Sequence, residues 1–338
     1  MPIVTEDFYE QHALQVFEAI GYEVLHGPDI APDGDQPLRH DWAGAFLDEV
    51  LFEQALRLNP DMPRTAVEEG LKRLKQHEAI DLVSRNRQVY GWLRNGLKIT
   101  FPTREGERTD YLRLIDYTDP AANTWHVVNQ VTLKGKKQPR RPDVLLYVNG
   151  IPLVVFELKN PVDAQADVWK AWKQIQTYKD EIPQLFETNL ACVIADGEAA
   201  RVGSLTAPRE RYMRWRVIES ERDVPPPDMD RLEVLIRGLC RKDYLLAFLH
   251  DFVLFQQGKE LIKIIAQYHQ FHGVRAAVEK TLEAAQPNGD KKGGVFWHTQ
   301  GSGKSLSATF YAGILMKHPA MKNPTIVVLT DRNDLDGQ

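Results

Sequence analysis

Arg141-Pro142-Asp143-Val144-Leu145-Leu146-Tyr147-Val148-Asn149-Gly150-Ile151-Pro152-Leu153-Val154-Val155-Phe156-Glu157-Leu158-Lys159 decides the reading of this chain. Asn149-Gly150 between two apolar runs is the strongest short hairpin signal, because a tight turn of the right twist needs positive φ at its central residues. Residues 143–148 and 151–158 are therefore expected as paired strands. Side chains alternate along a strand, so Glu157 and Lys159 share one face while Phe156 and Leu158 face the core. Asp143, Glu157 and Lys159 together are what phosphodiester hydrolysis requires. Two carboxylates can hold Mg²⁺, a hard cation that prefers oxygen ligands. The metal lowers the pKa of a bound water, and a lysine can position that water or stabilise the transition state.

Register sharpens this expectation. A strict two-residue turn would pair Val148 with Ile151 and Asp143 with Phe156, leaving Asp143 facing away from Glu157. The carboxylates converge only with an odd offset. A three-residue loop with Gly150 in the left-handed region, forming a bulge, supplies it and is the expectation here. The alternative is an ordinary hairpin with surface charges.

Working outward, residues 163–181 are expected as a helix that places Gln174 and Tyr178 on one face, four residues apart. Both could hydrogen-bond the carboxylates or a DNA phosphate. Glu6 opens a first helix, 5–20, and could donate another carboxylate, or could simply favour the helix dipole. Lys134, Lys136, Lys137, Arg140 and Arg141 put five cations into eight residues just before Asp143. That run suits either phosphate contacts or a solvated loop.

Residues 43–58 and 64–77 are expected as helices, 111–116 and 125–133 as strands, and 190–195 as a buried strand, with shorter strands to about 218. Val224-Pro-Pro-Pro-Asp228 and the segment 286–294 have linker composition. Helices are expected at 231–249 and 259–285. Then 294–297 and 325–330 are expected as strands flanking a helix at 303–316, a βαβ unit implying a parallel sheet. A chain of 338 residues suits two domains, divided as 1–228 and 229–338.

His298-Thr-Gln-Gly301-Ser302-Gly303-Lys304-Ser305 sits where a phosphate-binding loop belongs, between a strand and a helix. Backbone N–H groups of Gly301, Ser302, Gly303, Lys304 and Ser305 would cradle phosphates, Lys304 would reach the β- and γ-phosphates of ATP, and Ser305 would bind Mg²⁺. Upstream, Gln270 could read adenine through its amide, and Tyr268 could stack on the base.

Composition sets the limits. Net charge is −5, so a DNA contact must be a local patch. The two cysteines, Cys192 and Cys240, stand in apolar surroundings with no C-x-x-C, which excludes a disulfide framework and fits a reducing compartment. The N-terminus lacks signal-peptide character, and no apolar run reaches the roughly 18 residues needed to span a bilayer. The expectation is a cytoplasmic protein with no membrane role.

With both constellations in view, the chain resembles the restriction (R) subunit of type I restriction-modification enzymes over nearly its whole length. RPDVLLYVNGIPLVVFELKNP, VFWHTQGSGKSLSATF and VLTDRNDLDGQ carry the likeness. The resemblance implies an α/β fold: a PD-(D/E)xK, RecB-like endonuclease domain with a mixed sheet flanked by helices, then a partial RecA-like P-loop domain of superfamily 2 helicase type. It implies double-stranded DNA as substrate, Mg²⁺ and ATP as cofactors, and methyltransferase (modification) and specificity subunits as partners. It gives Asp143, Glu157 and Lys159 the catalytic roles. It matches Gln174 and Tyr178 to the family's Q-x-x-x-Y element, Glu6 to an N-terminal acidic position, and Gln270 to the adenine-contacting glutamine. A D-E-x-H box and a second RecA-like domain are missing, so the chain is expected to be a truncated piece that binds nucleotide weakly and does not hydrolyse it. Two other readings stay open: an ATP-driven translocase whose N-terminal domain only binds DNA, and a module that docks a partner complex.

Overall fold

The structure is a computed structural model, and it describes residues 6–76, 81–159 and 167–329. In chain order the elements begin with helix α1 (Glu6–Ala19), strand β1 (Glu23–His26), and helices α2 (Asp48–Leu58), α3 (Arg64–Lys75) and α4 (Leu82–Asn95). Strands β2 (Leu97–Thr103), β3 (Gly106–Leu112), β4 (Trp125–Asn129), β5 (Val144–Val148) and β6 (Ile151–Leu158) follow. Then come α5 (Val168–Glu181), β7 (Ala191–Ala195), β8 (Ala200–Gly203) and β9 (Met213–Arg214). The last elements are α6 (Arg231–Leu239), α7 (Lys242–Asp251), β10 (Val253–Gln257), β11 (Leu261–Ile265), α8 (Tyr268–Ala285) and α9 (Lys304–Lys317).

Seven strands form one mixed sheet in the order β1-β4-β5-β6-β7-β8-β9. β1 runs parallel to β4, and β6 parallel to β7, while the other neighbours are antiparallel. Helices flank both faces. Val144, Leu146, Val154, Phe156 and Leu158 enter one core with Phe17 of α1. Leu145, Tyr147, Val155 and Ile194 enter another with Ile175 and Tyr178 of α5. All thirteen residues of β5 and β6 are buried, and burying one large apolar side chain contributes about 1.5–3 kcal/mol. The Phe17 and Phe156 rings meet edge to face at 5.4 Å. α6 packs on α1, so the first core continues beyond residue 228 into Leu232, Leu235 and Phe271.

Several expected elements change. The 111–116 strand is replaced by the β2–β3 hairpin, which ends at Leu112. The helix at 43–58 begins only at Asp48. α4 was not anticipated. Asp81 caps it by accepting from the Val83 and Ser84 N–H groups, and Gly96 at φ 82° ends it. β4 stops at Asn129 rather than 133 because Gln130 turns to φ 55°. The 231–249 helix breaks at Cys240 into α6 and α7. The start of the 259–285 helix is instead β11, whose β-branched Ile262, Ile264 and Ile265 pair with β10.

Residues 294–297 and 325–329 form no strand and no ladder with each other, so the expected βαβ unit is absent among the described residues. Val295, Trp297, Val327, Val328 and Leu329 there are largely exposed. Two short segments with no neighbouring strand cannot satisfy their backbone groups by pairing and stay irregular. Cys192 and Cys240 are free and buried. Among the described residues no helix is long and apolar enough to cross a membrane.

Candidate active site

The hairpin turns as a two-residue loop, with Val148 opposite Ile151. Asn149 and Gly150 both take positive φ, 52° and 74°, the signature of a type I′ turn. Gly150 is required twice over. Its backbone is left-handed, and a Cβ there would lie 2.5 Å from the Leu47 carbonyl oxygen. Asn149 is fully buried, accepting from the Thr124 N–H and donating to the Leu114 carbonyl at 2.9 Å.

The bulge expected at Gly150 is therefore not there. It lies three residues further on. Tyr147 pairs with Pro152, but Leu146 pairs with Val154, so Leu153 is the extra residue. Pro152 has no N–H to give the ladder, which makes this a favourable place for the register to slip. The displaced bulge supplies the same odd offset. Val144 pairs with Phe156, so Asp143 comes opposite Glu157. Asp143 Oδ2 accepts from the Leu158 N–H at 2.6 Å, and the Asp143 carbonyl accepts from the Gln130 N–H at 3.0 Å.

Glu157 is fully buried. Lys159 Nζ donates to its Oε1 at 2.6 Å, while Oε2 is buried without a hydrogen-bond partner. Burial first, then the negative charge of Asp143, pushes the Glu157 carboxyl up to about 8, against the partial pull of Lys159. On α5, Gln174 and Tyr178 do share a face: Gln174 Nε2 donates to the Tyr178 hydroxyl at 2.6 Å. That hydroxyl donates to the Arg141 carbonyl at 3.3 Å. Burial and the nearby Glu157 charge raise its pKa, so it stays protonated as a donor.

The raised pKa of Glu157 has a measurable consequence. The folded chain holds a proton there that the unfolded chain releases above its ordinary value of 4.5. The stability this contributes is full below that value and is lost as pH rises through about 8. Glu157→Gln keeps the shape and cannot ionise. Without metal, the variant is expected to exceed wild type above that pH by on the order of 5 kcal/mol. Urea unfolding at alkaline pH measures this, and coincident transitions would contradict it.

Glu6 starts α1, but its side chain lies outside the described residues, as do residues 330–338 and the 163–166 end of the expected helix. One turn after Glu6, Glu10 is buried and its Oε1 accepts from Asn129 Nδ2 at 2.7 Å and Gln130 Nε2 at 3.4 Å. Those two residues border Asp143. Sequence reasoning missed Glu10. The available signal was an acid set within the buried stripe Tyr9, Ala13, Leu14 and Phe17. In the basic run, Arg140 is bound by Glu181 at 2.6 Å, and Lys134, Lys136, Lys137 and Arg141 remain exposed.

The second constellation closes around a basin of about 810 Å³ lined by Tyr268, His269, His298, Gly301 and Ser302. Gly301 and Gly303 are left-handed at φ 81° and 78°. Lys304 Nζ donates to the carbonyls of His298 and Thr299 at 3.1 Å, folding back over the loop. Gln270 is almost wholly buried. Its Oε1 accepts from the Gln267 N–H at 2.8 Å and its Nε2 donates to the Gly303 carbonyl at 3.0 Å, so the amide braces the loop. Ser305 is the second residue of α9 and is exposed.

Residues 3–211 match the family described as type I restriction enzyme R protein N terminus. Residues 269–338 match the SWI2/SNF2 ATPase family. The chain is similar to the type I restriction enzyme HindI endonuclease subunit of Haemophilus influenzae, 42% identical over 340 residues, which cover 99% of this chain and 32% of that protein. It is also similar to the putative type I restriction enzyme MjaIXP endonuclease subunit of Methanocaldococcus jannaschii, 30% identical over 357 residues, covering 99% and 34%. The chain thus spans about a third of the length of these curated relatives.

Proposed function

We propose, from the premise that this chain belongs to the type I restriction enzyme R protein N-terminus family, that it carries the DNA-cleaving site of a restriction subunit. Residues 1–228 are the endonuclease module, of PD-(D/E)xK type. Residues 229–338 connect it to the beginning of a RecA-like ATPase. In the complete subunit, Mg²⁺-dependent hydrolysis of double-stranded DNA is coupled to ATP-driven translocation, with methyltransferase and specificity subunits as partners. The observation that carries the reading is the meeting of Asp143 with Glu157 across a bulged hairpin, beside Lys159.

The donor set fits Mg²⁺. Among the described residues no cluster of three acidic, histidine or cysteine side chains exists, and Mg²⁺ needs only one or two carboxylates because it keeps several waters. The buried Oε2 of Glu157, beside the Tyr178 hydroxyl, would suit a cation ligand. Bound there with Asp143, the metal would acidify a water and neutralise charge on the phosphate. The protein groups do the rest. Lys159 holds Glu157 and is poised to orient water. Tyr178, kept protonated and fixed by Gln174, offers a hydrogen bond beside the carboxylates. Glu6 keeps its proposed place as a further carboxylate for the metal, and Glu10 fixes Asn129 and Gln130 behind Asp143. Gln270 supports the phosphate loop and, in this reading, contacts adenine once that loop opens on nucleotide. The convergence of three catalytic groups weighs against a translocase whose N-terminal domain only binds DNA.

Lys159→Ala separates the roles. Cleavage of plasmid by the complete subunit with its partners, Mg²⁺ and ATP should fall about 10²–10³-fold, the usual cost of one electrostatic stabiliser. Mn²⁺ affinity by titration calorimetry should stay within a few-fold. Undiminished cleavage would sink the reading.

A further inference from the structure

Away from both sites, positive charge collects on one edge of the large sheet. Arg209, Arg211, Arg214 and Arg216 fall within eight residues, interleaved with the buried rings of Tyr212 and Trp215. β9 is the edge strand, and its Arg214 pairs in register with Arg201 of β8. Arg211, Arg214 and Arg216 are exposed. Other cations of this acidic chain find acids: Arg140 with Glu181, Arg237 with Glu233, Arg241 with Asp243. Among the described residues these five arginines form no ion pair. Burial, then repulsion from Arg214, holds the Arg201 guanidinium below its usual value, and its Nε is buried without a partner. Glu210 and Glu221 line the basin beside Arg201, Arg214 and Arg216, so the five arginines still leave this edge net positive, a surface suited to an anion.

Its position says which anion. Glu157 pairs with Ile194, Ile194 with Arg201, and Arg201 with Arg214. Directly opposed residues point to the same face, so the row runs from the carboxylate site, beneath α5 at the buried Ile194, to the edge, and the edge stands on the same side of the sheet as the carboxylates. Three strand spacings make about 14 Å, and one strand of a duplex presents a phosphate roughly every 3.4 Å of axis, so the edge lies about four phosphates from the carboxylate site. At its other end the edge reaches the nucleotide loop, because Arg201, Arg214 and Arg216 line the same basin as Gly301 and Ser302. Nucleotide phosphates could satisfy those three. Arg209 and Arg211 lie outside that basin's lining, so the strip is longer than a nucleotide can use.

We propose that Arg201, Arg209, Arg211, Arg214 and Arg216 form a track for the DNA phosphate backbone between the nucleotide loop and the nuclease site. Guanidinium groups grip phosphates bidentately and without regard to sequence. The track rests on the proposal that DNA is the substrate.

The test is fluorescence anisotropy of a labelled duplex of about 30 bp with the 338-residue chain, without divalent metal, over a salt series. Combined Arg211→Gln, Arg214→Gln and Arg216→Gln should weaken binding at least roughly 30-fold at about 0.1 M salt and flatten the salt slope by about 2–3. The corresponding triple lysine variant should stay near wild type, and Arg211→Gln alone should lose about one unit of slope. Affinity for a fluorescent ATP analogue, measured alongside, should not fall in Arg211→Gln. Unchanged duplex affinity in the triple glutamine variant overturns the track, as does a loss confined to nucleotide. If the triple variant misfolds, the Arg211→Gln slope decides. Arginine-dependent binding with cleavage indifferent to Glu157→Ala would leave the track and remove the nuclease site. Cleavage lost in Glu157→Ala with duplex binding indifferent to the arginines would do the reverse.

Discussion

Glu157→Ala is expected to lower plasmid cleavage by the assembled complete subunit at least about 10³-fold, with duplex binding unchanged. The size follows from where the carboxylate sits. Among the described residues Glu157 and Asp143 are the carboxylates that converge at the hairpin, and Glu157 is wholly buried. Its loss also strips Lys159 of the acceptor that fixes its ammonium at 2.6 Å. Glu157→Gln makes the control, since it preserves volume and a hydrogen-bond acceptor but not the charge that binds Mg²⁺. The two variants should be similarly inactive. Single-turnover conversion of supercoiled plasmid, in Mg²⁺ and ATP with the partner subunits, measures it. A rate within threefold of wild type in either variant contradicts the assignment.

Lys304→Ala is expected to abolish ATP hydrolysis by the complete subunit, a loss of at least about 10²-fold, and cleavage with it. Lys304 Nζ donates to the His298 and Thr299 carbonyls, and Gly301 and Gly303 hold the left-handed backbone that lets the loop curl around an anion. A side chain at Gly303 would meet Gln270 Nε2 at 2.6 Å, so the brace and the loop are fitted to each other. The lysine is then the loop's movable charge, and nothing else in it replaces that charge at the γ-phosphate. Mn²⁺ binding at Asp143 and Glu157 should survive the change, because the fault lies in the motor. Phosphate release from ATP, measured with DNA present, tests it. Turnover near wild type contradicts the role given to Lys304.

The parts of the fold legible in the sequence were those decided locally. Asn149-Gly150 announces its turn through backbone conformation alone, and the apolar runs on either side follow. Convergence of Asp143 and Glu157 followed from parity, which depends only on strand alternation. The place of the bulge was not legible, because it depends on which cross-strand bond is cheapest to lose, and Pro152 decided that against Gly150. Glu10 was hidden by its neighbours. A buried acid is recognisable only when its partners, Asn129 and Gln130, are known to stand opposite, and they lie over 100 residues away. The arginine edge was missed similarly, since RERYMRWR becomes a strip only when β9 closes the sheet beside Arg201. The 294–297 and 325–329 segments have strand-like composition, but composition does not provide a neighbour to pair with.

The most direct measurement is of the metal itself. Crystals of the chain soaked in Mn²⁺ and measured for anomalous scattering should show a peak touching both Asp143 and Glu157, absent in Glu157→Ala. A peak elsewhere, or none at these carboxylates when the ion is in excess, would contradict the account.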